Sequence, residues 1–194
     1  MLTKKDVIVL SIYSKDTIYE KEILHLENSC KEFDINFVKI GYKDTKSWFN
    51  NVNKKPELIQ DFLNEVDKTV WFLDADTVIV EDPEFEIISD IKPSFRIRKY
   101  GVNSGSMFLP KVKFTNQIVN EWSDTLKNNL NHCNPPRLVE QNSLNEVLNK
   151  NNDCFELLDS RFNYKADIKR IIQLTYVPKP YAFVWHKTIS SENL

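Results

Sequence analysis

Short apolar runs alternate along the chain with segments in which apolar residues recur every three or four positions. The runs at residues 6–11, 35–40 and 69–73 have the length and composition of buried strands. Between them, Thr17 begins a segment with the pattern of a capping box and a helix, and Pro56 occupies the first turn of another helix. Strands and helices that alternate in this way predict an α/β fold with helices covering a central sheet.

The second half of the chain continues this alternation. Apolar residues at every fourth position around Trp122 predict a helix. Residues 48–55 are polar and are predicted to form a loop. No repeat, low-complexity tract or linker interrupts the pattern, so we expect a single domain over residues 1–194. The remaining predicted elements are strands at 78–80, 94–97, 105–109, 154–158 and 175–184 and helices at 56–65 and 138–148.

Composition and charge narrow the class of protein. The hydrophobic fraction of 41% and the charged fraction of 28% are those of an ordinary globular protein, and a net charge of −2 gives no basic field to attract nucleic acid. The apolar segment at residues 7–12 is too short for a signal peptide, and no run is long enough to span a bilayer. Cys30, Cys133 and Cys154 form no CxxC pair and are expected to be reduced thiols. We therefore expect a cytoplasmic protein with no transmembrane segment and no nucleic-acid partner.

The strongest chemical signal is Asp74-Ala75-Asp76, at the end of the third predicted strand. Alternate residues of a strand point to the same side, so both carboxylates can face one small volume. Two such carboxylates repel each other unless a cation lies between them, and a hard divalent ion suits their oxygen ligands. If a diphosphate also binds, the ion bridges protein and ligand. The alternative is an ordinary acidic turn after a strand.

Three other segments could contribute to such a site. Lys55 precedes a helix and could neutralise an anionic ligand, although most lysines in this setting are surface charges. Residues 103–105, with Gly105 before an apolar strand, would let a ligand approach the backbone closely, or form an ordinary turn. Glu140 and Gln141 give an otherwise apolar helix a polar start, which is also usual for caps.

The last candidate segment lies near the end of the chain. His186 could add an imidazole ligand to the Asp pair, which would suit manganese, or be a structural histidine. Lys187, or one of the cations within residues 96–99, could add positive charge near a phosphate. With only three glycines in the chain, a glycine-rich phosphate loop is excluded, so metal and side chains would have to hold a diphosphate.

Taken in order, these features resemble metal-dependent glycosyltransferases of the GT-A fold, most closely the glycogenin-like family 8 and the related family 77. The resemblance covers roughly residues 7–186 and implies a mixed, mostly parallel central sheet flanked by helices. The matching features are Lys55 with its helix, the strand ending in Asp74-Ala75-Asp76, Glu81-Asp82-Pro83, Asn103-Ser104-Gly105, Trp122, Glu140-Gln141 with Asn145, Arg161-Phe162-Asn163 and His186.

The resemblance also implies a function and a set of site residues. It implies transfer of a sugar, with retention, from a UDP-sugar to an acceptor that the sequence does not identify, with Mn²⁺ or Mg²⁺ as cofactor. The metal ligands would be Asp74, Asp76 and His186, and the catalytic residues Gln141, Glu140 and Asn103. The donor would contact Ser11, Tyr13, Lys55, Asp74, Ala75, Asp76, Ser104 and Lys187, with Tyr13 packing on the base.

Two departures from the family pattern leave alternatives open. Glu140 stands where the family has aspartate, and the family's C-terminal H-x-x-G-x-x-K-P-W motif is replaced by residues 186–190. A degenerate protein that binds a sugar nucleotide without turnover is therefore one alternative. The other is a phosphatase of the haloacid-dehalogenase type, in which Asp74 would be the nucleophile and Asp76 the acid/base.

Overall fold

A computed structural model describes residues 1–99, 101–132, 139–162, 164–166 and 184–187. These residues form nine strands and five α-helices, with 3₁₀ turns at Lys4–Asp6, Phe85–Ile87 and Ser160–Phe162. The strands are β1 (Val7–Ser14), β2 (Asn36–Tyr42), β3 (Thr69–Leu73), β4 (Thr77–Ile79), β5 (Ser94–Arg98), β6 (Gly101–Leu109), β7 (Glu156–Leu157), β8 (Tyr164–Ala166) and β9 (Val184–Lys187). The helices are α1 (Ile18–Glu32), α2 (Trp48–Val52), α3 (Lys55–Glu65), α4 (Lys113–His132) and α5 (Val139–Lys150).

The central sheet has six strands in the order β2-β1-β3-β6-β5-β7. Strand β1 is parallel to both β2 and β3, and β7 is parallel to β5, whereas β6 is antiparallel to β3 and β5. Parallel pairs need crossover connections, which include α1 and α3 for the pairs of β1 and α4 and α5 for the pair of β5 with β7. The predicted mixed, mostly parallel sheet with flanking helices is confirmed.

Both faces of the sheet are covered, which explains why all five residues of β3 are buried. On one face, Trp71 stacks on Phe108 with ring centroids 4.9 Å apart, and Phe85 and Phe162 meet these rings edge-on. The Trp71 indole donates a hydrogen bond to Ser106 Oγ at 3.1 Å, so its buried N–H is satisfied. On the opposite face, Phe72 is buried against apolar residues of α3, α4 and α5, among them Trp122 of α4.

Several local predictions need correction. Residues 48–55, predicted as a loop, contain α2, whose first turn is capped by Ser47 accepting from the Asn50 N–H at 3.3 Å. The predicted capping box at Thr17 is incomplete, because Glu20 accepts from the N–H of Asp16 instead of that of Thr17. Strand β6 begins at Gly101, so residues 103–105 lie inside a strand and not in front of one.

Two later strands were predicted, and only one of them can be compared over its whole length. The strand predicted at 154–158 is reduced to the two residues of β7. The one predicted at 175–184 lies outside the described residues except for Val184, where β9 begins. Strand β9 lies between β4 and β8 in a second sheet.

Two further expectations can be compared with the described part of the chain. Cys30 and Cys154 are free thiols there, and Cys133 lies outside it. Of the helices in those residue ranges, none has the length and apolar character needed to cross a membrane.

Candidate functional site

A cleft of about 270 Å³ opens where β1, β2 and β3 end. In open α/β sheets, ligands bind outside the carboxyl ends of the strands because loops and helix starts converge there. The cleft is lined by Ile12, Tyr13, Ser14, Tyr19, Tyr42, Trp48, Asn51, Val52, Lys55, Asp74, Ala75, Asp76, Arg98, Asn103, Glu140 and Gln141.

Asp74 and Asp76 both line this cleft, but a turn brings them there, and not the alternation of a strand. Strand β3 ends at Leu73, and the Asp74 N–H donates to the Gly105 carbonyl at 3.0 Å. The chain then turns, and the Asp74 carbonyl accepts from both the N–H and the hydroxyl of Thr77, at 3.1 and 2.7 Å. Asp76 is only 8% exposed. The turn therefore holds two carboxylates at the wall of one cleft.

Lys55 is the cation at the centre of the site. Its Nζ lies 2.8 Å from Asp74 Oδ1 and 3.9 Å from Glu140 Oε1, and it donates to Ser104 Oγ at 3.2 Å. Burial lowers the pKa of Lys55, but the attraction of Asp74 and Glu140 outweighs burial, and the net shift is upward. Lys55 therefore stays charged and joins three separate parts of the chain.

Glu140 and Gln141 lie in the first turn of α5 and also line the cleft. Glu140 is 4% exposed, and its Oε1 makes no hydrogen bond within the described residues. Burial raises the pKa of this carboxyl, and Lys55 and Ser104 only partly oppose the rise. The carbonyl of Glu140 accepts from the buried Trp122 indole at 3.0 Å, which fixes the start of α5 against α4.

Three other residues predicted for the site, Asn103, Ser104 and Ser11, differ in whether they reach the cleft. Asn103 lines the cleft, and its side-chain oxygen accepts from the Gly105 N–H at 3.2 Å. Ser104 lies beneath the surface, where it contacts Lys55. Ser11 is fully buried on β1 and is not part of the lining. The structure thus brings Asn103 to the cleft and leaves Ser11 and Ser104 behind its wall.

An aromatic wall forms the end of the cleft nearest β1 and β2. Tyr13 lies over Gly41, where an added Cβ would be 2.7 Å from the Tyr13 ring. Tyr19 hydrogen bonds with Trp48, and burial, followed by the negative charge of Asp76, raises the pKa of Tyr19 to about 12. Tyr42 completes the wall.

Of the residues in this wall, only Tyr13 was predicted from the sequence. Tyr42 ends β2 and Tyr19 lies in the first turn of α1, so both follow the carboxyl end of a strand, which is a usable signal. Trp48 was missed because α2 was predicted as a loop. Of the cations at residues 96–99, Arg98 is the one that lines the cleft.

The predicted metal ligands are Asp74, Asp76 and His186. Asp74 and Asp76 supply carboxylate oxygens, the donor type that Mg²⁺ and Mn²⁺ accept, so the residues present fit such an ion. His186 is paired with Thr77 across β4 and β9, directly after the Asp pair, and Lys187 is paired with Ala166. For strand β9 the structure describes the backbone pairing only, so nothing follows here about the side chains of His186 and Lys187. In the described part of the chain, no three histidine, cysteine or carboxylate side chains form a group that could hold a metal ion.

Comparison with known proteins points to one family. A family model for nucleotide-diphospho-sugar transferases matches residues 14–177, which include Lys55, the Asp pair and Glu140. Among solved structures, the fold is similar to that of a glycosyltransferase involved in the glycosylation of the major capsid of PBCV-1. The TM-score is 0.65, the identity is 17%, and 93% of this chain and 92% of that chain are covered. No curated protein matches the sequence.

Proposed function

The chain belongs to the nucleotide-diphospho-sugar transferase family and is a glycosyltransferase, and we propose that it transfers a sugar from a UDP-sugar with retention and with the help of a divalent cation. The observation that carries the proposal is the order of side chains along the cleft. An aromatic wall, an acidic pair with a buried lysine, and a polar wall follow one another from β2 to β5. The polar wall consists of Asn103, Glu140 and Gln141. The family assignment favours neither the phosphatase nor the non-catalytic alternative.

This order matches the three parts of a nucleotide-sugar donor. Aromatic faces bind a nucleobase by stacking, which assigns the base to Tyr13, Tyr19 and Trp48. The diphosphate would then lie in the middle of the cleft, beside the Asp pair and Lys55. The sugar would extend toward Asn103 and the start of α5, where amide and carboxylate groups can bind its hydroxyls.

Asp74 and Asp76 would hold Mn²⁺ or Mg²⁺, with His186 as the third protein ligand. When bound, such an ion neutralises the diphosphate and acts as a Lewis acid on the departing oxygen. Lys55 offsets part of the charge of the two carboxylates through its contact with Asp74, and Lys187 would add positive charge near the phosphates.

The polar wall would orient the sugar. Glu140 Oε1, which is buried without a hydrogen bond in the described residues, would accept from a sugar hydroxyl. Asn103 would position a second hydroxyl, and the Gln141 amide would face the anomeric carbon. An inverting enzyme would instead need a base near the acceptor hydroxyl, and Glu140 is the candidate for that role.

The proposal is tested by thermal shift of the purified protein against UDP-, GDP-, CMP- and dTDP-sugars, each with Mn²⁺ and with EDTA. We expect UDP-sugars to stabilise the protein only in the presence of metal, because ligand binding to the folded state raises its stability. No metal-dependent shift with any donor would overturn the metal-dependent assignment.

Retention is tested separately, once a donor and an acceptor are found. The anomeric configuration of the new glycosidic bond is read by NMR. We expect the configuration of the donor to be kept, and an inverted product would contradict the role given to Gln141.

A further inference from the structure

The Lys55 ammonium contacts one of the oxygens that the proposed metal site needs. Its Nζ lies 2.8 Å from Asp74 Oδ1, and the lysine side chain is only 11% exposed, so solvent screens this contact weakly. An ammonium and a divalent cation on one carboxylate repel each other, most strongly where water is excluded. Binding of Mn²⁺ or Mg²⁺ at Asp74 is therefore opposed by Lys55 in its present position.

A second carboxylate lies within reach of the same ammonium. Glu140 Oε1 is 3.9 Å from Lys55 Nζ, which is too long for a hydrogen bond, and this buried oxygen has no hydrogen-bond partner among the described residues. Because a charge-assisted hydrogen bond is about 2.8 Å long, a displacement of Nζ by about 1 Å would form one. Glu140 is thus placed to accept from Lys55 when Lys55 leaves Asp74.

Ser104 contacts both partners of this second pair. Its Oγ accepts from Lys55 Nζ at 3.2 Å, and its hydroxyl also hydrogen bonds with the Glu140 carboxyl. The ammonium has three N–H donors, of which Asp74 and Ser104 take two, so one is left for Glu140. Lysine carries its charge on a flexible four-carbon stem, whereas the Glu140 backbone is fixed by the Trp122 indole. Of the two groups, the lysine is therefore the one that can move.

We propose that Glu140 is a positioning residue for metal binding, which takes the Lys55 ammonium away from Asp74 and leaves Asp74 Oδ1 to a divalent cation. This inference rests on the proposed function, because it concerns the metal site proposed there. An ionised carboxylate has about four acceptor sites, so Glu140 can accept from Lys55 and from a sugar hydroxyl together. Since Glu140 acts through Lys55, its effect on metal binding should disappear when Lys55 is replaced.

The experiment is a double-mutant cycle on Mn²⁺ binding, measured without turnover. The wild type, Glu140→Gln, Lys55→Met and the double variant are titrated with Mn²⁺ alone, and free Mn²⁺ is measured by its electron paramagnetic resonance signal. Circular dichroism checks that each protein is folded. Glutamine keeps the size of Glu140 and removes the charge that attracts Lys55. Lys54→Met is the control, because it removes the neighbouring cation, which lies over the ring of Tyr42.

We expect Glu140→Gln to weaken Mn²⁺ binding about tenfold, because Lys55 then has no second carboxylate and stays on Asp74. Lys55→Met should bind Mn²⁺ more tightly than the wild type does. In the Lys55→Met background, adding Glu140→Gln should change the affinity by less than about threefold, because the residue through which Glu140 acts is gone. Lys54→Met should bind Mn²⁺ nearly as the wild type does.

Three results would overturn the inference. The first is an unchanged Mn²⁺ affinity of Glu140→Gln, a test that needs no Lys55 variant. The second is an equal loss from Glu140→Gln in both backgrounds, which would mean that Glu140 attracts the ion directly. The third is weaker Mn²⁺ binding by Lys55→Met, which would mean that Lys55 supports Asp74 as a ligand. If none of the proteins binds Mn²⁺, alone or with UDP, the metal site of the proposed function is refuted, and the inference with it.

Discussion

Replacing Lys55 with methionine tests the electrostatic centre of the site. The change keeps an unbranched apolar side chain near the ring of Phe72, from whose centroid Nζ lies 5.2 Å away, and removes the charge together with the hydrogen bond to Ser104. Asp74 and Glu140 are then left at the cleft without the cation that lies 2.8 and 3.9 Å from them. We expect the folded protein to be destabilised, because an uncompensated buried charge is costly.

The size of the effect follows from burial. Removing one partner of a buried ion pair costs about 3–5 kcal/mol. The Lys55 and Glu140 side chains are 11% and 5% exposed, whereas Asp74 is 24% exposed and partly solvated. The lower end of the range, about 3 kcal/mol, is therefore expected, which for a chain of this length lowers Tm by about 6–12 °C.

The loss should depend on pH through Glu140. Burial already raises the pKa of this carboxyl above its ordinary value of 4.5, and Lys55 opposes the rise. Without Lys55 the folded pKa rises further, so the folded variant binds a proton where the unfolded chain has lost one. The variant's loss in free energy of unfolding, relative to the wild type, is thus small near the pKa of Glu140 in the unfolded chain. This loss grows as pH rises through the pKa of Glu140 in the folded protein.

The assay is urea unfolding of both proteins at about pH 5 and about pH 8, and the deficit should be clearly larger at the higher pH. Adding Glu140→Gln to Lys55→Met should reduce the deficit. Lys54→Met is the matched control, because the Lys54 side chain contacts only the face of Tyr42 among the interactions described. This substitution should lower the free energy of unfolding by less than about 1 kcal/mol. A deficit equal at both pH values, or none at all, would refute this account of the charge cluster.

Three other changes test separate parts of the molecule. Asp76→Asn should abolish metal-dependent turnover of a UDP-sugar while circular dichroism shows an intact fold; a Mn²⁺-stimulated variant would contradict the metal site. Tyr19→Ala should weaken UDP binding about tenfold in calorimetry, whichever sugar is attached, because base stacking contributes about 1–3 kcal/mol; unchanged affinity would exclude Tyr19 from the base site. Gly101→Ala should lower the free energy of unfolding, measured in urea, by about 1–3 kcal/mol, because φ +117° strains any other residue. An equally stable variant would show that the backbone at residue 101 does not need a glycine.

Local sequence was sufficient for the framework of the fold. The apolar runs of β1, β2 and β3 and the periodicity around Trp122 are properties of neighbouring residues, so strands, helices and the α/β class could be predicted from them. Asp74 and Asp76 were recognised in the same way, because they directly follow a buried strand. The details failed where local signals are weak, as at α2, which is only five residues long and contains two adjacent asparagines.

The content of the site, in contrast, depended on tertiary structure. The order of residues along the chain was enough to predict that an acidic pair ends a central strand and that a lysine and a Glu-Gln pair accompany it. Only the assembly of the sheet and its helices decided that Lys55 lies close to both Asp74 and Glu140, and that Arg98 and Trp48 line one cleft. Contacts between residues far apart in the chain follow from how the sheet and its helices are assembled, and local periodicity carries no information about this.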